Sequence, residues 1–128
     1  MDKYKIALIE DDEVQVKFLI GGLRDGGFEV IHASNGEQGL KLIQSEKPDL
    51  VLLDIIMPEM DGLTMLKQLR EKEWGKNIPV LVLTNLSDSR SVAEAIEKGA
   101  YGFLQKTQWT IEDVVKKIKE KLSVVSGI

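Results

Sequence analysis

The chain contains no cysteine in its 128 residues, which leaves neither a disulfide nor a thiolate zinc site available. Its single histidine, His32, rules out a histidine-rich metal centre. There is no basic excess: the formal net charge is −4, whereas a non-specific nucleic-acid binder carries a positive surplus. Direct binding to nucleic acid is therefore not expected. No apolar run approaches the roughly 20 residues that a membrane-spanning helix needs, so no membrane role is expected either. Internal repeats, low-complexity tracts and linker-like stretches are missing too. Met1-Asp2-Lys3-Tyr4-Lys5 leads straight into a strand-like run without a signal-peptide pattern, and a cytoplasmic location is the expectation.

What is present is an ordinary globular mixture, 43% apolar and 30% charged, of a length that suits one domain with one sizeable core. Short apolar runs alternate with longer stretches of helical period. Ile6-Ala7-Leu8-Ile9 reads as a first strand. Val16, Leu19, Ile20 and Leu23 then recur at helical spacing until Gly26-Gly27. Phe28 to Ala33 reads as a second strand, and Asn35 as the cap of a helix carrying Leu40 and Ile43 that Pro48 stops. Leu50-Val51-Leu52-Leu53 is a third strand, followed by a helix with Leu63, Leu66 and Leu69 that Gly62 opens. Pro79 to Leu83 and Tyr101 to Leu104 supply two more strands, separated by a helix that carries Val92, Ala93 and Ile96 and ends at Gly99. Ile111, Val114, Val115, Ile118 and Leu122 mark the last helix.

Five strands and five helices in strict alternation imply a parallel sheet covered on both faces. With right-handed crossovers the expected fold is a three-layer α/β/α sandwich. Ligands of such folds bind beyond the carboxyl ends of the strands, at a topological switch point. The residues that follow the strands therefore matter most. The first strand runs into Glu10-Asp11-Asp12, the third into Asp54, the fourth into Thr84, and the fifth is followed by Lys106.

If those strands are neighbours, several carboxylates converge with one hydroxyl and one ammonium. Crowded carboxylates repel, and a hard cation with oxygen ligands, Mg²⁺ above all, relieves that repulsion. A lysine and a hydroxyl nearby can hold phosphoryl oxygens, and a carboxylate can itself serve as nucleophile to form an aspartyl-phosphate. Each residue alone has a plainer explanation. Asp12 is a natural helix cap, with Gln15 three residues on completing a capping-box-like pattern. Thr84 alone is a common kind of strand end, and Lys106 alone a solvated charge. Asp54 is harder to explain away, because Ile55-Ile56-Met57-Pro58 is not a helix start.

Taken together, these stretches resemble the response-regulator receiver family of two-component signalling, and the likeness covers nearly the whole chain. Ile6-Ala7-Leu8-Ile9-Glu10-Asp11-Asp12 resembles the family's first strand and acidic pair. Pro48-Asp49-Leu50-Val51-Leu52-Leu53-Asp54-Ile55-Ile56-Met57-Pro58-Glu59-Met60-Asp61-Gly62 is close to its phosphorylation motif and is the most specific of the matches. Pro79 to Thr84 and Gly99 to Lys106 are similar to its last two conserved stretches.

The resemblance implies a single receiver domain over residues 1–128, with a flavodoxin-like five-stranded parallel sheet of order 2-1-3-4-5. It implies that Asp54 is the phospho-acceptor, that Thr84 and Lys106 contact the phosphoryl group, and that Phe103 is the aromatic that rotates inward when Thr84 moves. Mg²⁺, or Mn²⁺ in its place, would be held by Glu10, Asp11, Asp54 and the backbone carbonyl of Ile56. Glu10-Asp11 and Asp11-Asp12 both offer an acidic pair; Glu10-Asp11 is preferred because it follows Ile9 directly. The expected function is a signalling switch. A sensor histidine kinase or phosphotransfer protein supplies the phosphoryl group, and the domain changes conformation to regulate a downstream effector. The domain would catalyse its own phosphoryl transfer and a slow self-dephosphorylation, without being a metabolic enzyme. With no output module before Gly127-Ile128, the sequence is expected to be either a single-domain regulator or a piece of a longer protein.

The chain departs from the family pattern at Thr107, where proline is usual after the lysine, and at Asn85, where a small residue is usual after the hydroxyl. A cis peptide between Lys106 and Thr107 would keep the lysine in reach at a cost of about 3 kcal/mol. The positions two after the acceptor and two after the hydroxyl, Ile56 and Leu86, are both aliphatic. The resemblance implies that these positions flank the path of the hydrolytic water, which aliphatic side chains cannot hold, so a long-lived phosphoryl group is expected. Two other functions compete. An aspartate-nucleophile phosphohydrolase would need a second carboxylate where Ile56 stands. A degenerate receiver that only binds a partner would not need Asp54, Thr84 and Lys106 together.

Overall fold

The computed structural model describes residues 3–54, 62–84, 93, 96–100, 102–105 and 110–126; for residues 84, 102–105 and 123–126 it describes the backbone alone. Five strands, β1 (Lys5–Ile9), β2 (Glu29–Ala33), β3 (Leu50–Asp54), β4 (Val80–Thr84) and β5 (Gly102–Gln105), form one parallel sheet in the order β2-β1-β3-β4-β5. The crossovers include α1 (Glu13–Asp25), α2 (Gly36–Glu46) and α3 (Gly62–Glu71), and a C-terminal helix spans Ile111–Ser126. In the connection between β4 and β5, Ala93, Ile96 and Glu97 are helical and exposed; Val92 lies outside the described residues. No helix among the described residues is long and apolar enough to cross a membrane. The expected sandwich and strand order are thus the observed ones.

The alternation of side chains along each strand builds the two faces. Ala7, Ile9, Val51, Leu53, Val80 and Val82 pack with Ile43 of α2 and Met65, Leu66 and Leu69 of α3. The intervening Ile6, Leu8, Leu50, Leu52, Leu81 and Leu83 pack on the other side with Leu19 and Leu23 of α1 and Val114, Ile118 and Leu122 of the C-terminal helix. Every residue of β3 is buried, because β3 is central and covered above and below. This explains why its sequence is a continuous apolar run with no alternation. Trp74 is partly buried and packs against the α2–α3 side of the core.

Local chemistry starts and stops the helices. Asp12 caps α1, its carboxylate accepting from the Val14 amide at 2.9 Å and the Gln15 amide at 3.2 Å. Asn35 caps α2 by accepting from the Gln38 amide at 2.9 Å. Thr110 and Asp113 cap the C-terminal helix reciprocally: the Thr110 amide donates to the Asp113 carboxylate at 2.8 Å and the Asp113 amide to the Thr110 hydroxyl at 3.2 Å. α1 gives way to β2 through Gly27, whose φ of 96° is open to glycine and strained for most other residues. α2 ends without a glycine. Lys47 takes the left-handed conformation there, with φ 49°, and Pro48 follows.

Charges at the amino ends of the strands are paired. The Lys5 amide donates to the Asp49 carboxylate at 2.7 Å, and the Asp49 amide returns a bond to the Lys5 carbonyl at 2.8 Å. The Lys5 ammonium lies 3.3 Å from the Glu46 carboxylate and 3.8 Å from that of Glu29. It also donates to the Glu46 carbonyl at 3.4 Å, which places a cation at the carboxyl end of α2, a helix with no basic residue in its own last turn.

Candidate functional site

At the opposite, carboxyl end of the sheet the described residues gather carboxylates. β1 and β3 are adjacent and parallel, with Ile9 paired to Leu53. Glu10 and Asp11, which follow β1, therefore arrive beside Asp54, the last residue of β3. One carboxylate oxygen from each of Glu10, Asp11 and Asp54 lies within 4.8 Å of the other two. Glu10 is only 1% exposed and Asp54 6%, while Asp11 faces solvent. Two members of the cluster are thus buried and the third is exposed.

The rest of the β1–α1 turn is arranged around Glu10. Its carboxylate accepts from the amides of Asp11 at 3.1 Å and Asp12 at 3.2 Å. These two donors supply partial positive charge where burial would otherwise leave a costly anion. They also resolve the choice between the two acidic pairs. Asp12 is committed to capping α1, so the pair at the site is Glu10 and Asp11. Of the capping box expected with Gln15, the bond from the Gln15 amide to Asp12 forms, while the Asp12 amide donates to Glu10 instead.

Sequence reasoning missed a buttress here. His32, expected only to be a strand residue, lies in β2 and donates from Nε2 to the Glu10 carbonyl at 2.8 Å. The Glu10 amide donates to the Ala33 carbonyl at 3.1 Å, which carries the β1–β2 ladder one residue past β1. The signal in the sequence was positional: His32 pairs with Leu8, two residues before Glu10, near the end of an adjacent strand.

The remaining expected residues fall at the same end of the sheet where their backbone is described. Asp54 pairs with Leu83, and Thr84 is the next residue and the last of β4. Thr84 pairs in turn with Gln105, the last residue of β5 before Lys106 in the sequence, and Phe103 pairs with Val82. The side chains of Thr84 and Phe103 lie outside the described set, as do Ile56, Asn85, Leu86, Lys106 and Thr107 and hence the peptide between the last two.

The donor set fits a hard divalent cation. It is all oxygen, it is anionic, and its members lie close enough together to share one small ion, as Mg²⁺ requires. Soft or nitrogen-preferring metals have no partner in it.

Comparison with known proteins agrees with this geometry. Residues 6–119 match the family model of the response regulator receiver domain. The chain is 37% identical over 102 residues to the alkaline phosphatase synthesis transcriptional regulatory protein PhoP of Bacillus subtilis, covering 80% of this chain and 42% of that protein. It thus spans less than half of that relative. Among solved structures, the signal receiver domain of a signal transduction histidine kinase from Syntrophus aciditrophicus superposes with a TM-score of 0.86 at 33% identity, covering 95% of this chain and 92% of that one. The Vibrio cholerae chemotaxis protein CheY4 superposes with a TM-score of 0.86 at 27% identity, covering 93% and 98%. With a family match over most of its length, the expected sheet order and an acidic cluster at the switch point, the chain belongs to the response-regulator receiver family, the phosphorylation switches of two-component signalling.

Proposed function

We propose that Asp54 is the phospho-acceptor of this receiver, and that residues 1–128 act as one switch domain in the cytoplasm. The observation that carries the reading is the cluster of Glu10, Asp11 and Asp54, with Asp54 at the end of the central strand. An Asp54 carboxylate oxygen attacks the phosphorus of a phosphohistidine on a sensor histidine kinase or phosphotransfer protein. The new P–O bond forms as the P–N bond breaks, and the imidazole leaves.

Glu10, Asp11, Asp54 and the Ile56 carbonyl would hold Mg²⁺ or Mn²⁺. Bound there, the ion supplies charge neutralisation between these carboxylates and the phosphoryl oxygens. The exposure of Asp11 leaves the approach open, while the amides of Asp11 and Asp12 and the ring of His32 hold Glu10 in place. Thr84 donates its hydroxyl to the phosphoryl group and Lys106 pairs with it. Phe103 follows Thr84, and, lacking a hydroxyl, transmits the change by packing alone. The altered surface then engages an effector, either a separate protein or a further domain of a longer chain.

The test is intact-mass analysis after incubation with acetyl phosphate and Mg²⁺. Wild type gains one phosphoryl group, and Asp54→Asn gains none. Equal labelling of the two proteins refutes the assignment, and labelling of neither makes the chain a receiver that binds without being phosphorylated.

A further inference from the structure

Arg70 stands at the other end of the molecule, in the last turn of α3. Its guanidinium bridges two loops: Nη1 donates to the Gly75 carbonyl at 2.8 Å and Nη2 to the Gly99 carbonyl at 2.8 Å. Gly75 lies in the turns that lead into β4, and Gly99 lies three residues before β5. No ion pair among the described residues involves Arg70, and burial pushes its pKa below the usual value. Carbonyl dipoles stand in for a carboxylate, so what the side chain contributes is geometry. A planar fork that satisfies two carbonyls at once defines both a distance and an angle between them.

Both glycines are shaped to this contact. Gly99 has φ 96°, and a Cβ there would lie 2.7 Å from the Arg70 Nε. A Cβ at Gly75 would run into the Leu69 carbonyl. Close approach of the backbone to α3 is thus required at both points.

Arg70 holds the backbone three residues before β5, the shorter of the two edge strands. β5 is an edge strand of four residues paired only with β4. Its position along the strand axis depends on that short ladder and on how its ends are held. The residue that follows it is Lys106. We propose that Arg70 is a positioning residue: by bridging Gly75 and Gly99 it sets the entry of β5 relative to β4, and so the reach of Lys106 towards Asp54. The inference rests on the reading of Lys106 given above. A misplacement near 1 Å can cost up to about 10²-fold in rate, so losing one end of the bridge should cost about tenfold.

The experiment measures phosphorylation by acetyl phosphate at saturating Mg²⁺, together with Mg²⁺ affinity by calorimetry, for wild type, Arg70→Lys, Lys106→Ala and the double variant. Arg70→Met is added, with the lysine variant deciding if the methionine variant does not fold, since lysine keeps the charge but cannot span both carbonyls. We expect the Arg70 variants to phosphorylate about tenfold more slowly with Mg²⁺ affinity within about twofold of wild type, because the carboxylates lie on β1 and β3. In the Lys106→Ala background the Arg70 substitution should cause no further loss, the signature of two residues acting as one unit. An unchanged rate overturns the proposal. So does a loss that persists undiminished without Lys106, or one matched by an equal loss of metal affinity, either of which marks general loosening. If wild type itself is not phosphorylated, it is the proposed function that fails instead.

Discussion

The two ends of this sheet carry charge in opposite ways. At the amino ends of the strands, donors meet carboxylates or carbonyls: the Lys5 ammonium with Glu46, Glu29 and the Glu46 carbonyl, the Lys5 amide with Asp49, and Arg70 with two glycine carbonyls. At the carboxyl ends, Glu10, Asp11 and Asp54 bring like charges together, two of them buried. The first arrangement holds the framework in register. The second gathers anionic oxygen ligands close enough together to share one cation. Stability and function are thus separated along the strand axis, about 17 Å apart for a five-residue strand.

The largest effect should come from a change that alters chemistry at the carboxyl end alone. The phosphorylated protein should lose its phosphoryl group slowly, because Ile56 and Leu86 cannot orient a water. Combining Ile56→Asn with Leu86→Glu should speed the decay by on the order of 10²-fold, the worth of one positioned acid–base contact. Following the phosphorylated fraction after donor removal measures it, and equal decay in the two proteins removes the aliphatic-gate argument.

The next effect is thermodynamic. Mg²⁺ should raise the melting temperature, with a stabilisation near 2.7 kcal/mol at one hundred times its dissociation constant, about the linkage value for a single site. Asp11→Ala should abolish most of that rise. In metal-free buffer the same variant should melt slightly above wild type, having lost one of three crowded charges. A variant that responds to Mg²⁺ like wild type would show that Asp11 is not a ligand.

Smaller again is the consequence of unpairing the amino end. Asp49→Ala removes the acceptor of the Lys5 amide and should cost about 1 kcal/mol in denaturant unfolding, with solvent exposure limiting the loss. Mg²⁺ binding should be untouched, and a weakened metal site in this variant would break the separation of the two ends. The least effect is expected from Lys76→Met. Its 2.8 Å pair with Glu73 is exposed on both sides and should be worth no more than about 0.5 kcal/mol.

Much of this was legible in the residues. The continuous apolar runs of β1, β3 and β4 announced strands covered on both faces, since only a buried parallel strand needs apolar side chains on both sides. Gly26-Gly27 and Asn35 marked helix boundaries because their chemistry is local: a left-handed φ, and a side-chain acceptor within reach of a nearby amide. The capping box at Asp12 and Gln15 forms in one half only, the Gln15 amide donating to Asp12, and shows the limit of local logic. Its other half was overridden by Glu10, which reached the Asp12 amide first.

The sequence by itself thus determined the alternation of strands and helices, the chemical types gathered at the strand ends, and the candidacy of Asp54, because all of these depend on period and on near neighbours. Only the tertiary structure decided which pair of carboxylates faces Asp54, that His32 supports Glu10, and that Arg70 ties α3 to the entries of β4 and β5. Those contacts join residues many positions apart. A hydrogen bond between distant residues leaves no period in the sequence, and its partners become apparent only when the sheet order brings them within 3 Å of one another.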